Sequence, residues 1–254
     1  MNIAIIISGR IELFEQSVSE NYCNIINPLV HNGHTVNIFM SIWNNCDQDI
    51  LLKSYQPYVK VFDTEIFTDY TAGLIKDMIP YENLIKLFAH TKENKVANTL
   101  YWMYKLKRAY KLVQEYERIN NIEHDLYIRL RPDVTCIDPI DMNQLNMLND
   151  SSIIVHVDHI VFKDNNVYGC GEGWIDDNLC IAKKRPFEIF CNTYDTIISL
   201  CLMAGSCISH IVLKKQFELN NIKTIKPNSP LVIYRNGDAN NQILRFHYFG
   251  HCYY

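Results

Sequence analysis

The sequence predicts one α/β domain: a mostly parallel, Rossmann-like sheet flanked by helices, with a smaller antiparallel elaboration in the second half. Three observations carry that expectation. The first hundred residues alternate short apolar runs with helical patterns, the form of successive βαβ units. Residues 2–7 read as a strand whose Ile3 to Ile7 form an Ile-rich apolar run, as in a central strand buried on both faces. No repeat, low-complexity linker or composition break divides the 254 residues, a length that one core can still serve.

The elements follow in order. After the first strand, residues 13–30 read as helix. Residues 35–40 read as a second strand, introduced by the turn residues Asn32 and Gly33, and 58–62 as a third. Each pair is separated by enough chain for a crossover, so all three are expected to run parallel. Residues 81–120 read mostly as helix. Leu106, Tyr110, Val113 and Tyr116 recur at three- and four-residue spacing, and Lys105, Lys107, Lys111 and Glu115 mark its wetter side. Asn120 and Asn121 end that helix. A fourth strand spans 125–131 and is cut off by Pro132, which cannot donate to a ladder. Residues 151–162 give one or two more strands, with a turn at Asp164, Asn165 and Asn166. A helical region over about 184–220 is broken near Gly205, short strands lie near Thr224 and Val232, and the tail is polar.

Composition excludes several classes. Apolar residues make up 48% and charged residues 20%, ordinary for a globular chain and against disorder. With 24 Lys+Arg against 28 Asp+Glu the net charge is −4, which excludes a generally basic nucleic-acid binder. No apolar run approaches the roughly 20 residues of a membrane span. Ser8-Gly9-Arg10 ends the first apolar run too early for a secretory leader, so a soluble, intracellular and cytoplasmic protein is expected. Nine cysteines occur without C-x₂-C spacing, which removes zinc-ribbon and thioredoxin-type readings and leaves buried, inert thiols as the expectation. No P-loop and no G-x-S-x-G elbow is present.

Ligands of open parallel sheets collect beyond the carboxyl ends of the strands. Here those ends carry Ser8-Gly9-Arg10, Ser41-Ile42-Trp43 and Arg131-Pro132-Asp133. A glycine after a strand allows close backbone approach, an arginine matches phosphate oxygens, and a tryptophan can lie against a base or sugar. Turn glycine, solvated arginine and core tryptophan are the structural alternatives. The sharpest segment is Asp125 to Asp133. With a period of two, Tyr127, Arg129 and Arg131 share one face of the strand. Two guanidiniums inside a strand covered by helices need an anion, either carboxylates of the chain or a phosphate-bearing ligand. Asp133, at the strand's end, is placed to bind a divalent metal or a sugar hydroxyl.

The run Tyr127-Ile-Arg-Leu-Arg-Pro-Asp133 resembles the R-x-R-x-D strand of GT-A-type glycosyltransferase-like proteins, found in capsule and lipopolysaccharide biosynthesis and in giant viruses. Ile3 to Arg10 is similar to that group's first strand and turn, and Asn37 to Trp43 to its following strand. Asn98 to Lys105, Asp177 to Ala182 and Ser209 to Ile222 resemble three later elements. The resemblance implies transfer of a sugar from a nucleotide-sugar donor to a glycan or small hydroxyl acceptor. It places the donor on residues 1–134 and the acceptor on 135–254. Ser8, Gly9, Arg10 and Trp43 would meet the nucleotide, and Arg129 and Arg131 would neutralise its diphosphate. Asp133 would hold a divalent metal, Mn²⁺ or Mg²⁺. Asp177 would be the base of an inverting reaction, with His210 as a second candidate. Two departures stand out: a lone Asp133 replaces the D-x-D pair, and His210 stands where the group has Glu. A non-catalytic nucleotide- or sugar-binding protein with a degenerate transferase fold is the alternative.

Other clusters weigh less. Asp47-Gln48-Asp49 is a literal D-x-D but reads as a helix start. His247 and His251 have i, i+4 spacing, yet Gly250 disfavours a helix there. The Gly169–Gly173 segment reads as a loop, and Lys183-Lys184-Arg185 as a solvated helix start.

Overall fold

A computed structural model describes the chain except for residues 11–13, 45–47, 78–80, 89–92, 158–159, 164–165, 170–174, 237–242 and 250–254. Twelve strands are described: β1 (Asn2–Arg10), β2 (Thr35–Asn44), β3 (Val59–Ile66), β4 (Leu126–Leu130), β5 (Val134–Cys136), β6 (Ser152–Val157), β7 (Ile160–Lys163), β8 (Asn166–Gly169), β9 (Ile175–Ala182), β10 (Lys223–Ile225), β11 (Leu231–Asn236) and β12 (Ile243–Phe249). Seven form one sheet in the order β10-β6-β9-β4-β1-β2-β3. Within it β1, β2 and β3 run parallel, as expected, β4 runs parallel to β1, and β10 runs parallel to β6. β9 is antiparallel to both β4 and β6. A second, antiparallel sheet has the order β5-β11-β12-β7-β8. The result is a single α/β domain whose main sheet draws strands from both sides of residue 134.

β1 shows why the sheet is central. Ala4 and Ile6 face one apolar cluster, and Ile3, Ile5 and Ile7 face the other. The first cluster is closed by the long α6 (Glu93–Asn120), α8 (Lys184–Cys191), α9 (Ile197–Ala204) and α10 (Ser209–Leu219). The second lies under α1 (Phe14–Asn21), α2 (Asn27–His31), α3 (Gln48–Ser54) and α7 (Met142–Asn146). The shorter α4 (Asp69–Asp77) and α5 (Tyr81–Leu87) precede α6. A π-turn over Tyr22–Ile26 joins α1 to α2, just where Pro28 has no N–H for the carbonyl of Asn24. Ile140 N–H donates to that carbonyl at 2.7 Å instead. Gly205, at φ +63°, caps α9 and produces the expected break before α10.

Four differences from the sequence expectation matter. β1 and β2 continue to Arg10 and Asn44, so Ser8, Gly9 and Arg10 pair with Ser41, Ile42 and Trp43 inside the sheet. Lys105 sits on the buried side of α6 and is 0% exposed. Residues 175–182 form β9, fixed by long-range pairing rather than by a local pattern. The polar tail contains β12, paired with β11 and β7. Five of the cysteines, 136, 180, 191, 201 and 207, are buried as expected, and Cys23 is exposed. Burial raises the Cys136 thiol to about 12, which keeps it protonated and unreactive. Among the described residues, no single helix is long and apolar enough to cross a membrane.

Candidate functional site at the carboxyl edge of the sheet

The carboxyl ends of β1, β2 and β4 lie side by side, and because β9 runs antiparallel its beginning meets them there. Continuing the alternation of Ala4 and Ile6 puts Ser8 and Arg10 on the α6 face. Tyr127 packs into the same cluster, so Arg129 and Arg131 share that face as the period of two predicts. Gly9 has φ +129°, a backbone conformation that L side chains rarely adopt, so the glycine is demanded by the chain path. A Cβ there would stand 3.7 Å from Pro132 Cδ, an ordinary contact.

Arg129 is the unusual member. It is 1% exposed, and its Nε and Nη1 have no hydrogen-bond partner among the described residues. Its guanidinium lies 5.7 Å from the centre of the Trp102 ring. Burial lowers its pKa to about 10, which leaves it a cation at neutral pH. The neighbouring charges that act on it most are Asp177, which attracts, Arg131, which repels, and Asp176, which attracts. Ser8 Oγ and Trp102 Nε1 are also buried without a partner among the described residues.

Arg131 is answered from within the chain. Its Nε and Nη2 grip the two oxygens of Asp133 at 3.0 and 2.7 Å, and its Nη1 donates to Asn178 Oδ1 at 3.0 Å. Asn178 Nδ2 then donates to both carboxylate oxygens of Asp176, at 2.6 and 2.7 Å. Asp133 is 5% exposed. Both of its oxygens face a guanidinium, so the residues at the end of β4 do not fit a metal held by Asp133.

A different group does fit one. Ligand atoms of Asp176, Asp177 and His210 all lie within 4.8 Å of one another. Consecutive residues of a regular strand point to opposite faces, but the ladder between β6 and β9 slips between Val155–Cys180 and Val157–Ile175. His210, in the first turn of α10, donates from Nδ1 to the carbonyl of Ile175 at 2.8 Å, because a carbonyl can only accept. That fixes the tautomer and makes Nε2 the basic nitrogen. Asp177 and His210, singled out from sequence, are thus brought together, and Asp176 joins them. The doublet Asp176-Asp177 at the head of an apolar run was its only sequence signal.

Trp43 is 2% exposed, and its ring is packed by Tyr104, by Phe67 and by Lys105 Nζ at 4.5 Å. The core alternative therefore describes it, and its ring faces are taken by protein. Arg10 is exposed, with its guanidinium 5.7 Å from the centre of the Phe67 ring. Beyond Trp43 lies an ion cluster that the sequence reading missed. Arg108 holds Asp63 through Nε at 2.6 Å and Nη2 at 2.9 Å, Ser41 Oγ donates to Asp63 at 2.8 Å, and Lys105 Nζ holds Glu65 at 2.8 Å. Burial lowers the Lys105 pKa against the opposing pull of Glu65 and Asp63. The signal was available: Asp63 and Glu65 alternate on one face of β3, and Lys105 and Arg108 are three apart on α6.

The weaker clusters resolve in the same terms. Asp49 lies in the first turn of α3, and Asp47 falls outside the described residues. His247 is on β12, while His251 and most of the Gly169–Gly173 segment fall outside them. Lys184 opens α8 and pairs with Glu123 at 2.6 Å.

No family model and no curated protein matches the chain. Among solved structures it is similar to the crystal structure of the glycosyltransferase GlyE from Streptococcus pneumoniae TIGR4, at 10% identity and a TM-score of 0.40. That alignment covers 87% of this chain and 45% of the other, so the chain spans under half the length of that protein.

Proposed function

We propose that this chain is a glycosyltransferase that moves a sugar from a nucleoside-diphosphate sugar to a hydroxyl acceptor. The observation that supports it most is Arg129: a buried cation at the carboxyl edge of a parallel sheet, with two donor nitrogens unanswered among the described residues. An unpaired buried guanidinium costs several kcal/mol, on the order of what breaking a buried ion pair costs. A polyoxyanion bound beside Ser8 supplies the missing acceptors. Charge that develops on a leaving diphosphate is then met by a preorganised cation in a water-poor site.

In that reaction the acceptor oxygen forms a bond to the anomeric carbon as the bond from that carbon to the diphosphate oxygen breaks. The bonding pair leaves with the diphosphate, and the acceptor's proton passes to a basic side chain of the site or to the leaving diphosphate itself. Arg131, already paired with Asp133, shapes the edge rather than meeting the donor. Residues 1–134 supply the diphosphate-binding edge, and the acceptor meets it from the side of β9 and α10.

A thermal-shift screen of UDP, GDP and TDP tests the reading, since a ligand that binds only the folded chain raises its Tm. The expected outcome is a rise with one of them that is absent in Arg129→Met. No response to any nucleoside diphosphate or nucleotide sugar refutes it. Binding without turnover of the matching nucleotide sugar would favour the degenerate, non-catalytic alternative.

A further inference from the structure

We infer that Asp176, Asp177 and His210 form a divalent-cation site on β9 and α10, one that takes its cation together with the diphosphate that Arg129 meets. The inference rests on the nucleotide-sugar reading for the identity of the anion, but the cation site stands on its own geometry.

Two oxygens and one imidazole nitrogen within 4.8 Å of one another suit a single ion. Ligands on opposite sides of an ion stand two bond lengths apart, about 4.2 Å for Mg²⁺-sized ions and about 5 Å for Ca²⁺. The donor set mixes hard oxygens with an imidazole, a combination that Mn²⁺ accepts. Three protein ligands leave coordination positions open for outside oxygens.

The supporting groups are those a ligand needs. His210 is oriented by its Nδ1 bond to the Ile175 carbonyl at 2.8 Å. Asp176 is oriented by Asn178, which is held by Arg131, which is held in turn by Asp133. The R-x-R-x-D strand therefore splits its work. Arg131 and Asp133 are positioning residues for Asp176, and Arg129 addresses the ligand.

Arg129 is the independent observation. It is 1% exposed, lacks acceptors at Nε and Nη1, and feels Asp177 most strongly among its neighbouring charges. Carboxylates beside it call for a cation, and its own empty donors call for an anion. A cation chelated by a diphosphate meets both needs at once, whereas either ion alone leaves a like-charge contact. As a cation ligand, Asp177 gives up the role of general base that the sequence resemblance assigned to it.

The test is Mn²⁺ binding to the full chain, read by loss of the free-ion EPR signal, with and without UDP. Wild type should bind one Mn²⁺, and UDP should tighten it. Asp177→Asn and His210→Gln should each weaken Mn²⁺ at least tenfold, and Asp133→Asn about tenfold or less. A cooperative urea transition in each variant shows that it has folded. Mn²⁺ binding that survives both Asp177→Asn and His210→Gln, or that is lost only in Asp133→Asn, overturns the site. A Tm rise with UDP that ignores Mn²⁺ overturns the coupling and leaves the nucleotide-sugar reading intact. Mn²⁺ bound through these residues with no response to any nucleoside diphosphate upholds the site and removes that reading.

Discussion

Two charged clusters lie at the same edge of the same sheet, and they differ in who answers their charges. At β2 and β3, Asp63, Glu65, Lys105 and Arg108 answer one another, with Ser41 and Tyr104 taking further lone pairs. At β4 and β9, Arg131 and Asp133 answer each other, but Arg129 keeps two buried donors unmatched beside Asp176 and Asp177. Both clusters contain buried cations, so burial of charge does not by itself mark a ligand site. Incomplete pairing does. A fold keeps an unpaired buried charge at a standing cost to stability, and function is the usual reason for keeping it.

The sharpest way to break this comparison is to remove one cation from each cluster. Lys105→Met leaves Glu65 without its shortest partner and strips the cation from the Trp43 ring. It should lower unfolding free energy by about 3 kcal/mol. Arg129→Met removes a buried guanidinium whose Nε and Nη1 meet no acceptor among the described residues. It should leave stability unchanged or raise it by about 1 kcal/mol while abolishing the nucleotide-induced rise in Tm. Urea titrations of the two variants decide the matter, because the opposite order would mean that Arg129 is the structural cation and Lys105 the functional one.

Much of this was legible in the sequence, for identifiable reasons. The parallel order of β1, β2 and β3 follows from crossover length, and the shared face of Tyr127, Arg129 and Arg131 from the period of two. Gly205 and Pro132 mark real breaks. What escaped was set by distant parts of the chain. β9 is a strand because β4 and β6 flank it, and nothing local in Asp176-Asp177-Asn178 announces that. Lys105 reads as solvent-facing until Glu65, forty residues away in sequence, is placed against it. Asp133 reads as a metal ligand until Arg131 closes on it, since a two-residue separation in sequence does not reveal a bidentate pair beyond the strand's end. Periodicity reports faces. Pairing between elements decides which charges remain open.

A smaller effect separates the clusters in acid. Burial pushes the Asp63 carboxyl up, but hydrogen bonds from Arg108 and Ser41 and the charge of Lys105 outweigh it, so its pKa falls below the ordinary 3.8. Glu117 behaves alike: burial is outweighed by bonds from His124 and Tyr127, and its pKa falls below 4.5. A carboxyl whose pKa is lower folded than unfolded adds stability that is fully present above its unfolded value and is lost as pH falls through the folded one. The wild-type urea midpoint should therefore hold through neutral pH and decline below about pH 4.5. Asp63→Asn should start from a lower midpoint at pH 7 and show a shallower acid decline, because one contributor to the slope is gone. Arg129→Met should keep the wild-type slope, since neither Asp63 nor Glu117 bonds to it. A shallower slope in Arg129→Met would show that its guanidinium already holds a carboxylate of the chain, and the contrast between a closed cluster and an open one would fail.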